Sequence, residues 1–118
     1  MASHPSFSIV APVYGVERYI ANCADSLLGQ TYDNIQFIFV NDGTKDASIA
    51  LLEKLIDEKY SFLKDRIVII NKHNEGLPAA RRTGMEYVTG DYVLHVDSDD
   101  WVEKDMVAKI AAKALETD

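Results

Sequence analysis

Tyr92-Val93-Leu94-His95-Val96-Asp97-Ser98-Asp99-Asp100 is a run of five strand-forming residues that passes, with no turn residue between, into three carboxylates within four positions. Its first half is β-branched and aromatic and nearly apolar on both faces, the pattern of a strand inside a parallel sheet. Three upstream runs share the pattern, at residues 7–13, 35–40 and 67–70. The segments between them carry helical stripes instead. Ile20, Cys23 and Leu27 form one, and Ile49, Leu52, Ile56 and Tyr60 another. Leu77, Ala80, Gly84 and Val88 form a third, with Pro78 in the first turn, where its ring is tolerated. Met106, Val107, Ile110, Ala114 and Leu115 form a last stripe after the fourth run. The order β-α-β-α-β-α-β-α predicts right-handed crossovers and an α/β three-layer sandwich around a mostly parallel sheet. One domain over residues 1–118 is expected, with 1–6 fraying. The chain shows no internal repeat, low-complexity tract or linker.

Composition narrows the function classes. Hydrophobic residues make up 47% of the 118 positions, enough for a core, so disorder is set aside. A net charge of −7 argues against a nucleic-acid partner held by counterion release. No apolar run approaches the roughly 20 residues that cross a bilayer, and the start does not resemble a signal peptide. The single cysteine, Cys23, rules out an internal disulfide, and its place in an apolar stripe reads as a buried small hydrophobe. These features predict a cytoplasmic domain.

In an open parallel sheet, ligands bind beyond the carboxyl ends of the strands. Those ends read Pro12-Val13-Tyr14-Gly15, Asn41-Asp42-Gly43-Thr44, Asn71-Lys72-His73-Asn74-Glu75-Gly76 and Asp97-Ser98-Asp99-Asp100-Trp101. All four fall on one edge, and three carry polar or acidic side chains. Alternate carboxylates at Asp97 and Asp99 repel each other unless relieved, and they suit a hard cation such as Mg2+ or Mn2+. A solvated acidic loop or a helix N-cap is the plainer reading of the same cluster. Asn41-Asp42-Gly43-Thr44 reads by itself as a turn with positive φ at Gly43, and Asp46 as a residue stabilising the first turn of the next helix. Arg81 lies next to the sheet-facing side of the third helix, where a guanidinium can meet a carbonyl or diphosphate oxygen. His73 and His95 read as structural, Lys64-Asp65-Arg66 as a solvated turn, and Trp101 as a packing anchor for the last helix.

Taken in order, these pieces resemble family 2 of the GT-A glycosyltransferases. The matching segments are Ser8–Gly15, Ser26–Tyr32, Phe39–Asp46, Asn74–Gly84 and Gly90–Tyr92 leading into Asp97–Asp100. The resemblance implies a strand order of 3-2-1-4 and metal-dependent, inverting transfer from a nucleotide-sugar, with UDP as the nucleotide. It implies that Pro12 and Tyr14 lie against the nucleobase, that Asp42 bonds it, and that Arg81 lies near the base or diphosphate. Asp99 is then the direct ligand of Mn2+ or Mg2+, with Asp97 nearer the ribose. The implied acceptor is a saccharide or a lipid-linked one, in a full-length protein that can associate with a membrane and serve polysaccharide synthesis. Gly15, Asn41 and Arg82 stand where the family more often has Asn, Asp and Asn.

Other classes fit less well. The first strand-helix turn lacks the glycine fingerprint of a dinucleotide or P-loop site. A phospho-acceptor signalling domain needs an acidic pair after the first strand and an acceptor Asp after the third. Those places hold Val13-Tyr14-Gly15 and Asn71-Lys72-His73. A non-catalytic nucleotide-binding module is the remaining alternative. Family enzymes continue for about as many residues again and carry the acceptor wall and general base there, so the chain reads as a donor-binding portion. The fourth strand is then an exposed edge, and self-association through it is expected. The chain by itself is also expected to transfer no sugar. Radiolabelled donor incubated with saccharide acceptors checks this, and sustained turnover onto an acceptor would contradict it.

Overall fold

The computed structural model describes residues 4–117. Its elements are β1 (Phe7–Val13), α1 (Ile20–Leu28), β2 (Ile35–Asp42), α2 (Ser48–Lys59), a 3-10 turn (Ser61–Arg66), β3 (Ile67–Lys72), α3 (Leu77–Met85), β4 (Tyr92–His95) and α4 (Met106–Thr117). The four strands pair in parallel in the order β3-β2-β1-β4, as the sequence implied.

Alternation along the central strands divides the core. Phe7, Ile9, Ala11 and Val13 of β1 join Phe37 and Phe39 of β2 on one face, under Ile20 and Leu27 of α1, Leu52 of α2 and Val107 of α4. Val10, Ile38 and Val40 point to the other face and meet Ala80 of α3. The topology explains the split. β1 to β2 and β2 to β3 step the same way, so right-handed crossovers put α1 and α2 on one side. The connection from β3 returns across the sheet to β4, which puts α3 on the other. β1 is buried throughout, whereas the edge strands β3 and β4 are only partly covered and Tyr92 and His95 are exposed. Composition predicted full burial for all four runs, but position in the sheet decides it. No helix among the described residues is long and apolar enough to cross a membrane.

The helical stripes need three corrections. Leu77 is 44% exposed because it begins α3 at the carboxyl edge of the sheet and not over its face. In α4 the buried positions are Val107 and Ala111, one turn apart, and Leu115 is exposed. Trp101 is 60% exposed and is not the packing anchor; Val102 and Met106 pack against the core in its place. The start of the chain also differs from expectation. Ser6 donates from its backbone N and its Oγ to Asp91 Oδ2 (3.0 and 3.2 Å), and Asn34 Nδ2 donates to the His4 carbonyl (3.0 Å), so 4–6 are held. Residues 1–3 lie outside the described residues.

Two glycines mark where backbone meets backbone or core. A Cβ on Gly84 would lie 2.5 Å from Val10 Cγ1, so α3 approaches the sheet more closely than any larger residue allows. A Cβ on Gly90 would lie 2.8 Å from Ser8 N. The turn there is organised by buried Ser8, whose Oγ donates to Gln36 Oε1 (2.6 Å) and accepts from Gly90 N (2.9 Å). On the opposite face, Asp25 of α1 accepts from Lys59 Nζ (2.8 Å) and from the Tyr60 hydroxyl, joining α1 to the end of α2. The Lys59 and Tyr60 hydrogen bonds hold its carboxyl down at about 2.

Gly84→Ala is expected to destabilise the fold by about 1–3 kcal/mol through overpacking, while Arg82→Ala on the exposed face of α3 should stay within about 0.5 kcal/mol. Urea denaturation of the two variants checks this. Asp25, with a folded pKa below its unfolded value near 3.8, adds stability that is complete above pH 4 and lost as pH falls through about 2. Acid titration of stability should therefore be shallower across that window in Asp25→Asn than in the native chain.

Candidate functional site

The segment after β4 stays beside β1, since Val96 N donates to the Val10 carbonyl (3.0 Å). Two residues on, Ser98 is buried and its Oγ donates to the Pro12 carbonyl (2.6 Å). The chain turns here, with Asp100 N donating to the Asp97 carbonyl (3.1 Å), and the turn buries Ser98 while Asp97 and Asp99 stay exposed. Downstream, Val102 N donates to Ser26 Oγ (3.1 Å), Gln30 Nε2 donates to the Glu103 carbonyl (2.7 Å), and Gln30 Oε1 accepts from Val107 N (3.0 Å). The acidic loop is thus clamped on both sides. Ser26, Gln30 and Ser98 are the residues that sequence reasoning missed. Ser26 and Gln30 were visible only as members of a family segment, with nothing to show which carbonyls and amides they would reach.

The clamp gathers Asp97, Asp99 and Asp100 so that one carboxylate oxygen of each lies within 4.8 Å of the others. All three residues are exposed. Carboxylate oxygens without nitrogen or sulfur donors fit a hard divalent cation such as Mg2+ or Mn2+ better than zinc. Cys23 lies beneath, its Sγ 3.8 Å from the Asp97 carbonyl oxygen. Burial first, then the charges of Asp100, Asp99 and Asp97, push its thiol up to about 12, so it stays protonated and is no ligand.

Arg81 of α3 reaches the same cluster, with Nη2 2.9 Å from Asp97 Oδ1. Next to it a cleft of about 150 Å3 is lined by Pro12, Tyr14, Val16, Leu77, Asp97, Ser98 and Asp99. Four residues singled out from the sequence, Pro12, Tyr14, Asp97 and Asp99, therefore line one cleft, and Arg81 bonds Asp97 at its side. The cleft is smaller than the roughly 300 Å3 of an enclosing ligand pocket, so it is an open seat on the sheet edge. A larger cavity of about 510 Å3 lies against α2 and the start of β3 among Glu53, Ile56, Lys64 and Ile67, away from the carboxyl ends of the strands. It collects none of these residues, and the chemistry favours the smaller cleft.

Asp42 is placed differently. It is 1% exposed, at the end of β2, and four groups surround its carboxylate. Oδ1 accepts from Glu75 N (3.0 Å) and Lys72 Nζ (3.4 Å), and Oδ2 accepts from Gly76 N (3.0 Å) and Asn74 Nδ2 (3.3 Å). Asp42 thus shapes the loop that leads into α3 and so sets where Arg81 begins its reach. Gly43, at φ +69°, is required beside it, because a Cβ there would lie 2.8 Å from Asn74 N. Asn41 Nδ2 donates to Asn71 Oδ1 across the strands (2.9 Å), and His95 lies exposed on the edge strand.

Known proteins resemble this chain in sequence and in fold. GlyA of Streptococcus pneumoniae, a glycosyltransferase, is 43% identical over 109 residues, which is 92% of this chain and 15% of that protein. The crystal structure of Staphylococcus aureus TarS in complex with UDP-GlcNAc superimposes with a TM-score of 0.82 at 28% identity, over 94% of this chain and 31% of that one. The mannosyltransferase PcManGT of Pyrobaculum calidifontis shares the fold, with a TM-score of 0.78 at 19% identity over 89% of this chain and 31% of its own. The chain thus spans a third or less of each of these proteins. The parallel 3-2-1-4 sheet is the GT-A architecture, and the family model for glycosyl transferase family 2 matches residues 8–118, so this chain belongs to glycosyl transferase family 2.

Proposed function

We propose that the chain binds the nucleoside diphosphate of a nucleotide-sugar, a UDP-sugar, on the carboxyl edge of the sheet, for metal-dependent transfer with inversion to a saccharide or lipid-linked acceptor. The observation that carries this reading is the cleft in which Pro12 and Tyr14 face Asp97 and Asp99. An apolar and aromatic wall beside a carboxylate pair suits a ligand with a flat base at one end and a metal-chelating diphosphate at the other. The TarS complex with UDP-GlcNAc, on the same fold and 28% identical, supports uracil as the base.

In this reading Tyr14, half-exposed, stacks against the base, and Pro12 closes the floor beneath it. Asp42 contacts the base only if a ring N–H shares or displaces one of its four present donors. Asp99 and Asp97 would hold Mn2+ or Mg2+, which when bound would neutralise charge on the departing diphosphate. Arg81 offers a second positive group to the same oxygens. In the absence of ligand it pairs with Asp97, which eases the repulsion among three neighbouring carboxylates.

Calorimetry with UDP tests the assignment. With Mn2+ present, binding should weaken by about tenfold or more in Asp99→Ala, the loss of a charge-assisted contact. Chelation of the metal should weaken the native chain to a similar degree. Equal affinity under all these conditions would sink the metal assignment, and no UDP binding under any of them would sink the donor reading.

A further inference from the structure

The loop that carries Tyr14 packs Val16 on the core and is tied by hydrogen bonds to the next loop of the sheet edge. Three consecutive backbone amides donate to three side chains of the segment after β2. Gly15 N reaches Thr44 Oγ1 (2.9 Å), Val16 N reaches Ser48 Oγ (2.9 Å), and Glu17 N reaches Asp46 Oδ2 (3.3 Å). Asp46 also organises the other two acceptors. Its Oδ1 accepts from Thr44 Oγ1 (2.7 Å) and Ser48 Oγ (2.6 Å), besides the Ser48 backbone N (3.0 Å).

The proton count makes this arrangement directional. A hydroxyl has one proton to give and lone pairs to receive with. Asp46, a carboxylate, can only accept, so it takes the proton of both hydroxyls and leaves their lone pairs turned to the amides of Gly15 and Val16. Stabilising the first turn of α2 needs only the bond from Ser48 N. The remaining contacts of Asp46 face or feed the opposite loop. Tyr14 and Val16, which line the cleft, flank Gly15, whose φ of +64° turns the chain between them. Nothing else lies within 4 Å of where a Gly15 side chain would begin, so the loop owes its shape to these hydrogen bonds and not to packing at that point.

We propose that Asp46 is a positioning residue for nucleotide binding, which fixes Tyr14 and Val16 against the nucleoside by polarising Thr44 and Ser48 toward the backbone of Gly15–Glu17. The ligand named here rests on the donor reading above. Asp46→Asn cannot reproduce the array. An amide either keeps its oxygen on the hydroxyls and presents N–H to Glu17 N, or flips and presents N–H to the hydroxyls. Thr44→Val removes one acceptor without touching Asp46, while Thr44→Ser retains it.

Three measurements on the native chain and these variants test the proposal: amide hydrogen exchange, UDP affinity in the presence of Mn2+, and affinity for Mn2+ alone. In Asp46→Asn and Thr44→Val the affected amides among Gly15, Val16 and Glu17 should exchange at least about tenfold faster, while those of Ile9 and Val10 in β1 hold their rates. UDP affinity should fall about five- to tenfold, the loss of a preorganising hydrogen bond. Mn2+ affinity should not move, because the acidic loop is held by Ser98 and Gln30 instead. Thr44→Ser should match the native chain throughout. Unchanged exchange in Asp46→Asn would overturn the proposal, and so would faster exchange with UDP affinity intact, which would leave Asp46 as a helix-capping residue alone. Failure of the native chain to bind UDP is a separate result. It overturns the donor reading and the ligand named here, while the exchange rates still decide whether Asp46 holds the loop.

Discussion

β1 is buried along its whole length, paired on both sides and covered on both faces, and the loops of the site take their positions from it. Its last turns of backbone offer carbonyl oxygens that nothing in the sheet consumes. Val10 O receives Val96 N and Pro12 O receives Ser98 Oγ, so the acidic loop is hung from β1 and not from β4, the strand it follows. Beyond Val13 the same strand runs into the loop of Tyr14. The Tyr14-bearing and acid-bearing walls are therefore two attachments to one buried strand, and their separation is set by its pleat. A parallel sheet brings strand carboxyl ends together, but it is the stiffness of a fully buried central strand that lets the spacing be held.

Polar side chains do most of the joining between loops. Ser8 and Gln36 hold the turn into β4, Ser26 and Gln30 hold the segment into α4, Asp42 holds the loop into α3, and Asp46 holds the loop after β1. Each satisfies backbone N–H or C=O groups that no helix or ladder can reach, and an unpaired buried group of that kind costs a few kcal/mol. Among the described residues no buried side-chain nitrogen or oxygen lacks a partner. The edge of the sheet is thus tied together by hydrogen bonds without being apolar.

The acidic loop itself runs against stability. Three exposed carboxylates are held within 4.8 Å, and in the chain alone Arg81 relieves one of them. Such a cluster is tolerated because its anchors are neutral and lie outside the charge: a serine hydroxyl on one side and a glutamine amide on the other. Arg81 is drawn toward the same place from the opposite face of the sheet by α3, whose start is set by Asp42. The charge balance of the cleft therefore depends on a loop contact made by a buried carboxylate at the end of β2.

The alternation of apolar runs and helical stripes was sufficient for the strands, the helices and the parallel sheet, because burial has a local period of two or 3.6 residues that a sequence records directly. The meeting of the acidic loop, Pro12 and Tyr14 was legible for a related reason, since in such a sheet anything after a strand faces the same edge, and Arg81 was legible from its place beside the stripe of the third helix. Where a stripe ran past its support, as at Leu77 and Leu115, periodicity alone could not show that the sheet surface had ended. The depth of Asp42, the inward turn of Ser98, the grip of Gln30 on the loop before α4 and the hub at Asp46 were decided only in three dimensions. Except for the caps that Asp46 makes within its own loop, those bonds join groups about 30 to 90 positions apart. A hydrogen bond depends on distance and direction between two groups, and a linear pattern of residue types carries the identity of each partner but not the pairing.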